Sequence, residues 1–576
     1  MGRPLIELIE TVREAIPLNK EFYDVAKTNI SQVGRVWVVY GAPGSGKTQY
    51  LVNLLNSGVL PRPISVVVFN RSVKRYIESI VGDADCIDIK TIDGYAVGHV
   101  GFENMVNMNG DIEEGIETLR FSVSRIAKLP YSRDPYITLD GNALIEGFDY
   151  AANKGGREGI KTYIDLLDEA YDGLGVVPEL YLACLQGRIR RLGSLECPGP
   201  AYDFTLARLE LYGSRAPVMH ECGRVRTVIV DEVQDLSPLM WGIIGHWAAD
   251  LEAMVFAGDV DQIVYRNLHF ADPEIPRWLY NETLKDRGGW TLKKLALSYR
   301  VAEGIDRLAI NLLGAIDDEL SPWRNWEGVR GRHGMVYIET VEEGLAEILA
   351  DYARDEELRW GERTYAILTA TNDLVLDLTA TLLQVCAEGG EGSLSCVVPH
   401  FLKGVPSFIM RAINMANDAL MNKLDVTQAT LEGLGITEDM VRSVAAILKY
   451  VGHRLEDYRR VNPWIRVDEA IRNIFERELD PKHLVYHNNP KAPVFIDTIY
   501  TSKGLEFDRV YIVNFVREGA RVSRDKWGAR LFYVGLTRSR GSVVILTTNK
   551  EGYIEWFPTK QIAELARKVG TEVIEK

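Results

Sequence analysis

Short apolar runs of strand length alternate with helix-spaced stretches along this chain. Val36–Tyr40, Val66–Phe69, Arg226–Val230 and Ala253–Phe256 are largely unbroken apolar segments, and Val543–Leu546 repeats the pattern near the other end. Such runs predict strands buried on both faces of a parallel sheet. Leu5, Leu8, Ile9, Val12 and Ile16 fall at helix spacing, as do the stretches opening near Gln49 and those at Phe408–Leu420, Asp439–Tyr450 and Val467–Phe475. Strand and helix in alternation predict an α/β fold with parallel sheets.

Two of the predicted strands end in residues that carry chemistry. Arg35–Tyr40 runs into Gly41-Ala42-Pro43-Gly44-Ser45-Gly46-Lys47-Thr48 and then a helix near Gln49. Strand, G-x-x-x-x-G-K-T and helix in that order make a phosphate-binding loop. Its glycines let backbone N–H groups converge on phosphate oxygens beside a helix N-terminus; Lys47 reaches the β- and γ-phosphates and the Thr48 hydroxyl suits Mg²⁺. A glycine-rich turn alone would need neither Lys47 nor Thr48. Arg226–Val230 ends in Asp231-Glu232-Val233-Gln234-Asp235. There Asp231 can hold Mg²⁺ and Glu232 can orient and deprotonate a water, whereas a solvated acidic turn is the plainer reading of the same carboxylates.

At 576 residues the chain is too long for one ordinary core, so two or more domains are expected. Hydrophobic residues make up 46% and charged residues 26%, which excludes a disordered or collagen-like chain. The net charge of −15 argues at first sight against a nucleic-acid partner. It is unevenly spread: residues 101–170 hold 13 acidic against 7 basic residues, and residues 509–540 hold 8 basic against 2 acidic. A local basic strip of that kind suits salt-sensitive, transient contact with phosphates. The six cysteines show no C-x-x-C pair and no Cys/His spacing for zinc, so reduced thiols are expected. No apolar run approaches a bilayer span, the first residues lack signal-peptide character, and Ile6 breaks the myristoylation pattern, which points to a cytoplasmic protein without membrane association.

Further motifs, in fixed order, carry a family resemblance. They are Gly258-Asp259-Val260-Asp261-Gln262-Ile263-Val264-Tyr265, Ser298-Tyr299-Arg300, Thr498-Ile499-Tyr500-Thr501-Ser502-Lys503-Gly504-Leu505-Glu506-Phe507-Asp508, and Leu531-Phe532-Tyr533-Val534-Gly535-Leu536-Thr537-Arg538-Ser539. Together with the phosphate loop and the Asp231-Glu232 pair they resemble the UvrD/Rep/PcrA-type superfamily 1 DNA helicases over nearly the whole chain. The resemblance implies two RecA-like P-loop NTPase lobes, each a parallel sheet with flanking helices interrupted by a mainly helical insert. The first lobe would take residues 1–99 and 200–294 with an insert at 100–199, and the second 295–398 and 490–576 with a reduced insert at 399–489. ATP and Mg²⁺ would be held by Gly41, Ala42, Gly44, Ser45, Gly46, Lys47, Thr48 and Gln49, with Asp231 as the second metal ligand. Tyr299 would stack on adenine, Glu506 would bind the ribose, Gln262 would sense the γ-phosphate, and Arg300 and Arg538 would stabilise transition-state charge. A core tyrosine and surface ion pairs are the structural alternatives for Tyr299 and the arginines.

By the same resemblance Phe69, Asn70, Arg71, Thr91, Tyr95, Arg266, Thr498 and Tyr500 would face DNA, through phosphate contacts and base stacking. Phe69 reads equally well as a core residue. Several positions depart from the family pattern. Leu18-Asn19-Lys20-Glu21 leads to Phe22 where an adenine-reading Gln is usual, and Gln49 replaces an Arg. Asn267 replaces a base-stacking Trp, with Phe270 as the substitute, and Ile367–Asn372 lacks its Arg. Catalysis is thus expected intact and substrate grip remodelled. The function implied is an ATP-dependent, 3′→5′ single-stranded DNA translocase and helicase, acting as a monomer on single strands and single-strand/duplex junctions. The alternative is a DNA-stimulated or DNA-end-sensing ATPase subunit of a repair, replication, mobile-element or antiviral defence complex. A pseudo-ATPase scaffold is disfavoured by the complete catalytic set.

Overall fold

The apolar runs become strands because each lies between neighbours that bury both its faces. In the computed structural model the described residues are 11–69, 71–81, 86–107, 112–113, 115–116, 119–120, 123, 141–170, 174–192, 195–264, 270–285, 288–316, 324–340, 365–370, 375, 378, 399–400, 494–513, 526–547, 553–554, 557–568 and 572–575. The chain forms two compact units, Met1–Gly41 with Gly46–Leu295, and Ala42–Ser45 with Ala296–Lys576.

In the first unit the elements in chain order are α1 (Lys20–Ile30), β1 (Arg35–Gly41), α2 (Lys47–Asn56), β2 (Ile64–Val67), α3 (Arg71–Val81), β3 (Ile87–Lys90) and α4 (Ile92–Val100). There follow α5 (Gly141–Ala170), α6 (Val176–Leu185), α7 (Phe204–Ser214), β4 (Thr227–Val230), α8 (Pro238–Ala248), β5 (Ala253–Gly258), α9 (Glu274–Thr283) and β6 (Trp290–Leu295). The six strands form one sheet in the order β6-β1-β5-β4-β2-β3, every neighbouring pair parallel. Val39, Val66, Ile229 and Val255 of its strands pack with Leu51 and Leu55 of α2 in one core. With β1 and β4 as inner strands, the loops after Gly41 and Val230 both leave from strand C-terminal ends, where open α/β sheets bind ligands.

The helix α5 of the expected first insert is tied to this sheet through a buried amide. Asn153 Oδ1 accepts from Arg208 of α7 at 3.1 Å and from Ser237 Oγ at 2.8 Å, while its Nδ2 donates to Asp149 O at 2.9 Å. Ser237 also caps α8, accepting from Met240 N at 3.2 Å.

In the second unit β7 (Leu297–Glu303) pairs in parallel with β8 (Glu327–His333), flanking α10 (Ile305–Ile316). The main sheet comprises β9 (Met335–Thr340), β10 (Tyr365–Thr369), β11 (Pro399–His400), β12 (Val494–Thr498), β13 (Phe507–Val513), β14 (Ser539–Thr547) and β15 (Glu572–Glu575). Their order is β11-β12-β10-β13-β14-β9-β15, all parallel, with helices α11 (Lys526–Leu536) and α12 (Thr559–Lys568) completing the unit. The helices expected at Phe408–Leu420, Asp439–Tyr450 and Val467–Phe475 lie outside the described residues.

One sequence expectation is overturned. Four of the six cysteines are paired, Cys86 with Cys222 and Cys184 with Cys197, rather than reduced thiols. The sheet brings β3 within one strand of β4, so residues 136 apart meet. In the basic strip at 509–540, Arg517, Arg521, Arg524 and the side chain of Lys526 lie outside the described residues, and Arg540 is partly exposed. Arg530 and Arg538 are each 1% exposed, and Arg509 donates to Ser542 Oγ at 2.8 Å. Among the described residues no helix is long and apolar enough to cross a membrane.

Candidate nucleotide site

β1 ends at Gly41 and α2 begins at Lys47, two residues before the expected start, because the last residues of the loop are already the first turn of the helix. Gly44 and Gly46 have φ of 68° and 80°, a conformation glycine reaches without a Cβ penalty. Tyr50 N donates to Gly46 O at 2.8 Å, closing the first helical turn. Lys47 is buried and its Nζ donates to Gly41 O at 2.9 Å, so the ammonium folds back over the loop. Ser45 Oγ is buried without a hydrogen-bond partner. A loop that curls N–H groups, an ammonium and an orphan hydroxyl together is suited to phosphate oxygens.

The metal-binding expectation is tested by the next residue. Thr48 Oγ1 lies 3.4 Å from Asp231 Oδ2, so a neutral oxygen and a carboxylate oxygen stand close enough to share one hard cation. These residues fit Mg²⁺. Asp231 is 3% exposed at the end of β4. Burial, then the neighbouring Glu232, pushes its pKa up to about 7, against the pull of Lys47 and its hydrogen bonds. A bound divalent cation would reverse that balance and hold the carboxylate ionised.

Glu232 adopts φ 53°, ψ 45°, left-handed backbone that a side chain with a Cβ rarely takes. Such local strain is held in place by the surroundings. Here Asp231 Oδ1 accepts from Glu232 N at 3.0 Å, and Gln234 Nε2 donates to Glu232 Oε2. Gln234 is fully buried, and its Oε1 accepts from Asp259 N at 3.0 Å. Asp259 in turn accepts from Asp261 N at 3.0 Å and from Gln262 Nε2 at 2.7 Å. Burial raises the pKa of Asp259, with Lys47 opposing. One chain of hydrogen bonds thus links Glu232 to Gln262 through Gln234 and Asp259. Gln234 and Asp259 stand inside motifs visible in the sequence, yet only the fold reveals that they join the two.

In the second unit Ser298 Oγ donates to Pro43 O at 2.6 Å and Tyr299 N to Gly44 O at 2.9 Å, so β7 grips the loop peptide through one side chain and one backbone N–H. A Cβ at Gly44 would collide with Arg300 Cβ. The Tyr299 ring is 69% exposed, which overturns the core-tyrosine reading and leaves its face available for stacking. Arg300 Nε donates to Glu506 Oε2 at 2.9 Å, and Arg540, not singled out in the sequence, pairs with Glu506 Oε1. Although burial opposes it, these two guanidiniums hold the Glu506 carboxyl below the usual range. Glu506 therefore engages arginines where the resemblance implies a ribose.

Arg538 differs from expectation. Its Nε donates to Val534 O at 3.0 Å and one terminal nitrogen to Leu505 O at 3.2 Å, inside the unit's core. The guanidinium thus satisfies one carbonyl near the end of α11 and one in the turn before β13.

The residues expected to face DNA fall into three groups. Asn70 and Arg266 lie outside the described residues, as does the side chain of Arg71. Thr91, Tyr95 and Phe270 have structural roles. Thr91 caps α4, accepting from Gly94 N at 3.0 Å. The Tyr95 hydroxyl bonds Ser65 Oγ and its ring packs edge-on to Trp247, centroids 5.1 Å apart. Phe270 is buried edge-on to Tyr150 of α5 at 5.3 Å, so its face is not offered to a base. Phe69 and Tyr500 are half-buried, with burial pushing the Tyr500 pKa up to about 12, and Thr498 is buried with Oγ1 3.0 Å from Thr501 Oγ1.

Comparison with known families agrees with this geometry. A family model described as an AAA domain matches residues 27–267, and one described as a UvrD-like helicase C-terminal domain matches residues 493–546. The chain is also similar to the ATP-dependent DNA helicase UvrD2 of Mycobacterium bovis and of two strains of Mycobacterium tuberculosis. Each is 23% identical over 345 residues, which cover 55% of this chain and 46% of the relative. The matched stretch thus spans about half the length of those relatives.

Proposed function

Because the chain belongs to the UvrD-like superfamily 1 helicases, we propose that it hydrolyses ATP with Mg²⁺ and uses the cycle to move 3′→5′ along single-stranded DNA and to open duplexes. The observation that carries this reading is the approach of Thr48 Oγ1 to Asp231 Oδ2 beside a strained Glu232. Lys47 and the loop amides bind the β- and γ-phosphates, while Thr48 and Asp231 hold the cation. Mg²⁺ held there would supply neutralisation of the phosphate charge that develops during the reaction. Glu232, steadied by Gln234, accepts the proton of the water whose oxygen bonds to the γ-phosphorus as the bond to the β-bridging oxygen breaks. Gln262, held by Asp259, reports on the γ-phosphate, and Tyr299 covers the base.

A second reading is favoured by particular residues. Thr91, Tyr95 and Phe270 serve the fold, and Arg530 and Arg538 are buried. A weak intrinsic grip on DNA would suit an ATPase subunit that works within a larger complex. ATPase rates against added single-stranded DNA, duplex DNA and RNA separate the two. Strong stimulation by single strands, abolished in Lys47→Ala, supports the motor; a rate indifferent to all three supports the subunit. Strand displacement on 3′- and 5′-tailed duplexes then tests polarity, and unwinding only from 5′ tails refutes it.

A further inference from the structure

Apart from the nucleotide site, one cluster gathers residues with metal-binding chemistry from distant parts of the first unit. Cys86 stands just before the edge strand β3, where its carbonyl accepts from Ile64 N at 2.9 Å. Cys222 lies in the turn of the two-stranded hairpin Met219–His220 and Gly223–Arg224, which leads into β4. His220 is on the same hairpin. The two sulfurs and a ring nitrogen of His220 all lie within 4.8 Å of one another, the one such trio among the described residues. Cys222 N donates to His220 Nδ1 at 2.9 Å, which holds the ring in one orientation; that lone pair is engaged, so a metal bound at Nδ1 displaces this bond. Cys222 is exposed and the other two are half-buried, leaving the cluster open to solutes.

We propose that reduction of the Cys86–Cys222 disulfide turns this cluster into a zinc-binding site with two thiolates and one imidazole. Ligands around tetrahedral zinc, at about 2.0–2.3 Å from the metal, stand about 3.5–3.8 Å apart, so the His220 nitrogen needs to close by about 1 Å or less, while the two sulfurs must separate from bonding distance once the disulfide is cut. Two thiolates and an imidazole suit zinc in particular, and three protein ligands leave a fourth position for water. The chemistry balances. A dithiol or phosphine reductant supplies two electrons, two protons enter, and the S–S bond becomes two thiols; Zn²⁺ then displaces both thiol protons as the two Zn–S bonds form. The cluster fastens the N-terminal starts of β3 and β4, at the opposite end of β4 from Asp231. It therefore acts on the hold between edge strand and hairpin and uses no nucleotide-binding residue.

The test uses the full chain, reduced with a phosphine, freed of metal and titrated with Co²⁺ as a spectroscopic stand-in for Zn²⁺. A thiolate-to-cobalt charge-transfer band that saturates at one equivalent and is displaced by Zn²⁺ is expected. Cys222→Ser should lose the band, His220→Ala should keep a sulfur band but shift its midpoint to higher Co²⁺, and Cys184→Ser should bind as the parent does. Should Cys222→Ser fail to fold, alkylation of the reduced parent chain decides: Zn²⁺ should slow modification of Cys86 and Cys222 and leave the rates at the buried Cys184 and Cys197 as they are without metal. A reduced parent without the band, a band surviving in Cys222→Ser, or equal protection of all four thiols overturns the proposal. None of these readouts involves ATP or DNA, so they stand or fall separately from the proposed function.

Discussion

Replacing Asp231 by Asn separates what its carboxylate does for chemistry from what it costs the fold. The side chain is 3% exposed, and burial with Glu232 alongside moves its pKa from 3.8 up to about 7. At ~1.36 kcal/mol per pH unit the full shift corresponds to about 4 kcal/mol. The sign follows from proton counting. Between pH 4 and 7 the folded state keeps a proton that the unfolded chain has released, so this group's contribution to stability falls as pH rises through that window and stays low above it. Asn fills nearly the same space, can still accept from Glu232 N through its one amide oxygen and donate to the Thr48 hydroxyl from its amide nitrogen, and never ionises. The stability of Asp231→Asn relative to the parent should therefore improve by about 2–3 kcal/mol between pH 5 and pH 8, whatever the constant cost of seating the amide. At about 2–4 °C per kcal/mol for a unit of this size, the melting gap should widen by roughly 4–12 °C. Melts in EDTA at several pH values measure it. In the same variant Mg²⁺-dependent ATPase should vanish and the stabilisation by Mg²⁺ and nucleotide seen in the parent should disappear. A melting gap independent of pH would refute the reasoning, because it would mean that Asp231 ionises as it does in the unfolded chain.

Glu232→Gln should bind nucleotide as tightly as the parent and lose turnover by at least about 100-fold, measured by single-turnover hydrolysis. Gln234→Ala removes the acceptor of the buried Asp259 N–H, so a loss of about 1–3 kcal/mol in stability and a lower kcat with KM little changed are expected. Tyr299→Ala, at a 69% exposed site, should change stability by less than about 0.5 kcal/mol while raising KM for ATP; an unchanged KM would show that the ring does not cover the base. Glu506→Gln leaves Arg300 and Arg540 without the carboxylate they share, and a reduced ATPase rate with an unaltered melting temperature is expected.

Much of this architecture was legible because buried parallel strands announce themselves as apolar runs. β1, β4 and β5 fall where Arg35–Tyr40, Arg226–Val230 and Ala253–Phe256 predict them, to within a residue or two. The chemistry of the loops after β1 and β4 was legible for a related reason, since Lys47, Thr48, Asp231 and Glu232 are fixed by adjacent backbone. What depends on distant packing was not. Phe270 looks free in sequence, but Tyr150, 120 residues upstream, covers it. Arg538 occupies its motif position while its guanidinium turns toward carbonyls of Val534 and Leu505. The Cys86–Cys222 pair spans 136 residues, a separation that carries no spacing signal.

The amide of Asn153 has a bearing on how the first unit could be pared down. Its oxygen receives Ser237, which opens α8 just beyond the Asp231-Glu232 turn, and Arg208 of α7. Excising α5 as a dispensable insertion would strip both of that acceptor in a dry interior. The unit is thus not a plain nucleotide-binding module with an accessory domain grafted on. Anyone building a minimal version of it would have to redesign the start of α8 together with the cut, and lineages that shortened the insertion would need a compensating change at Ser237.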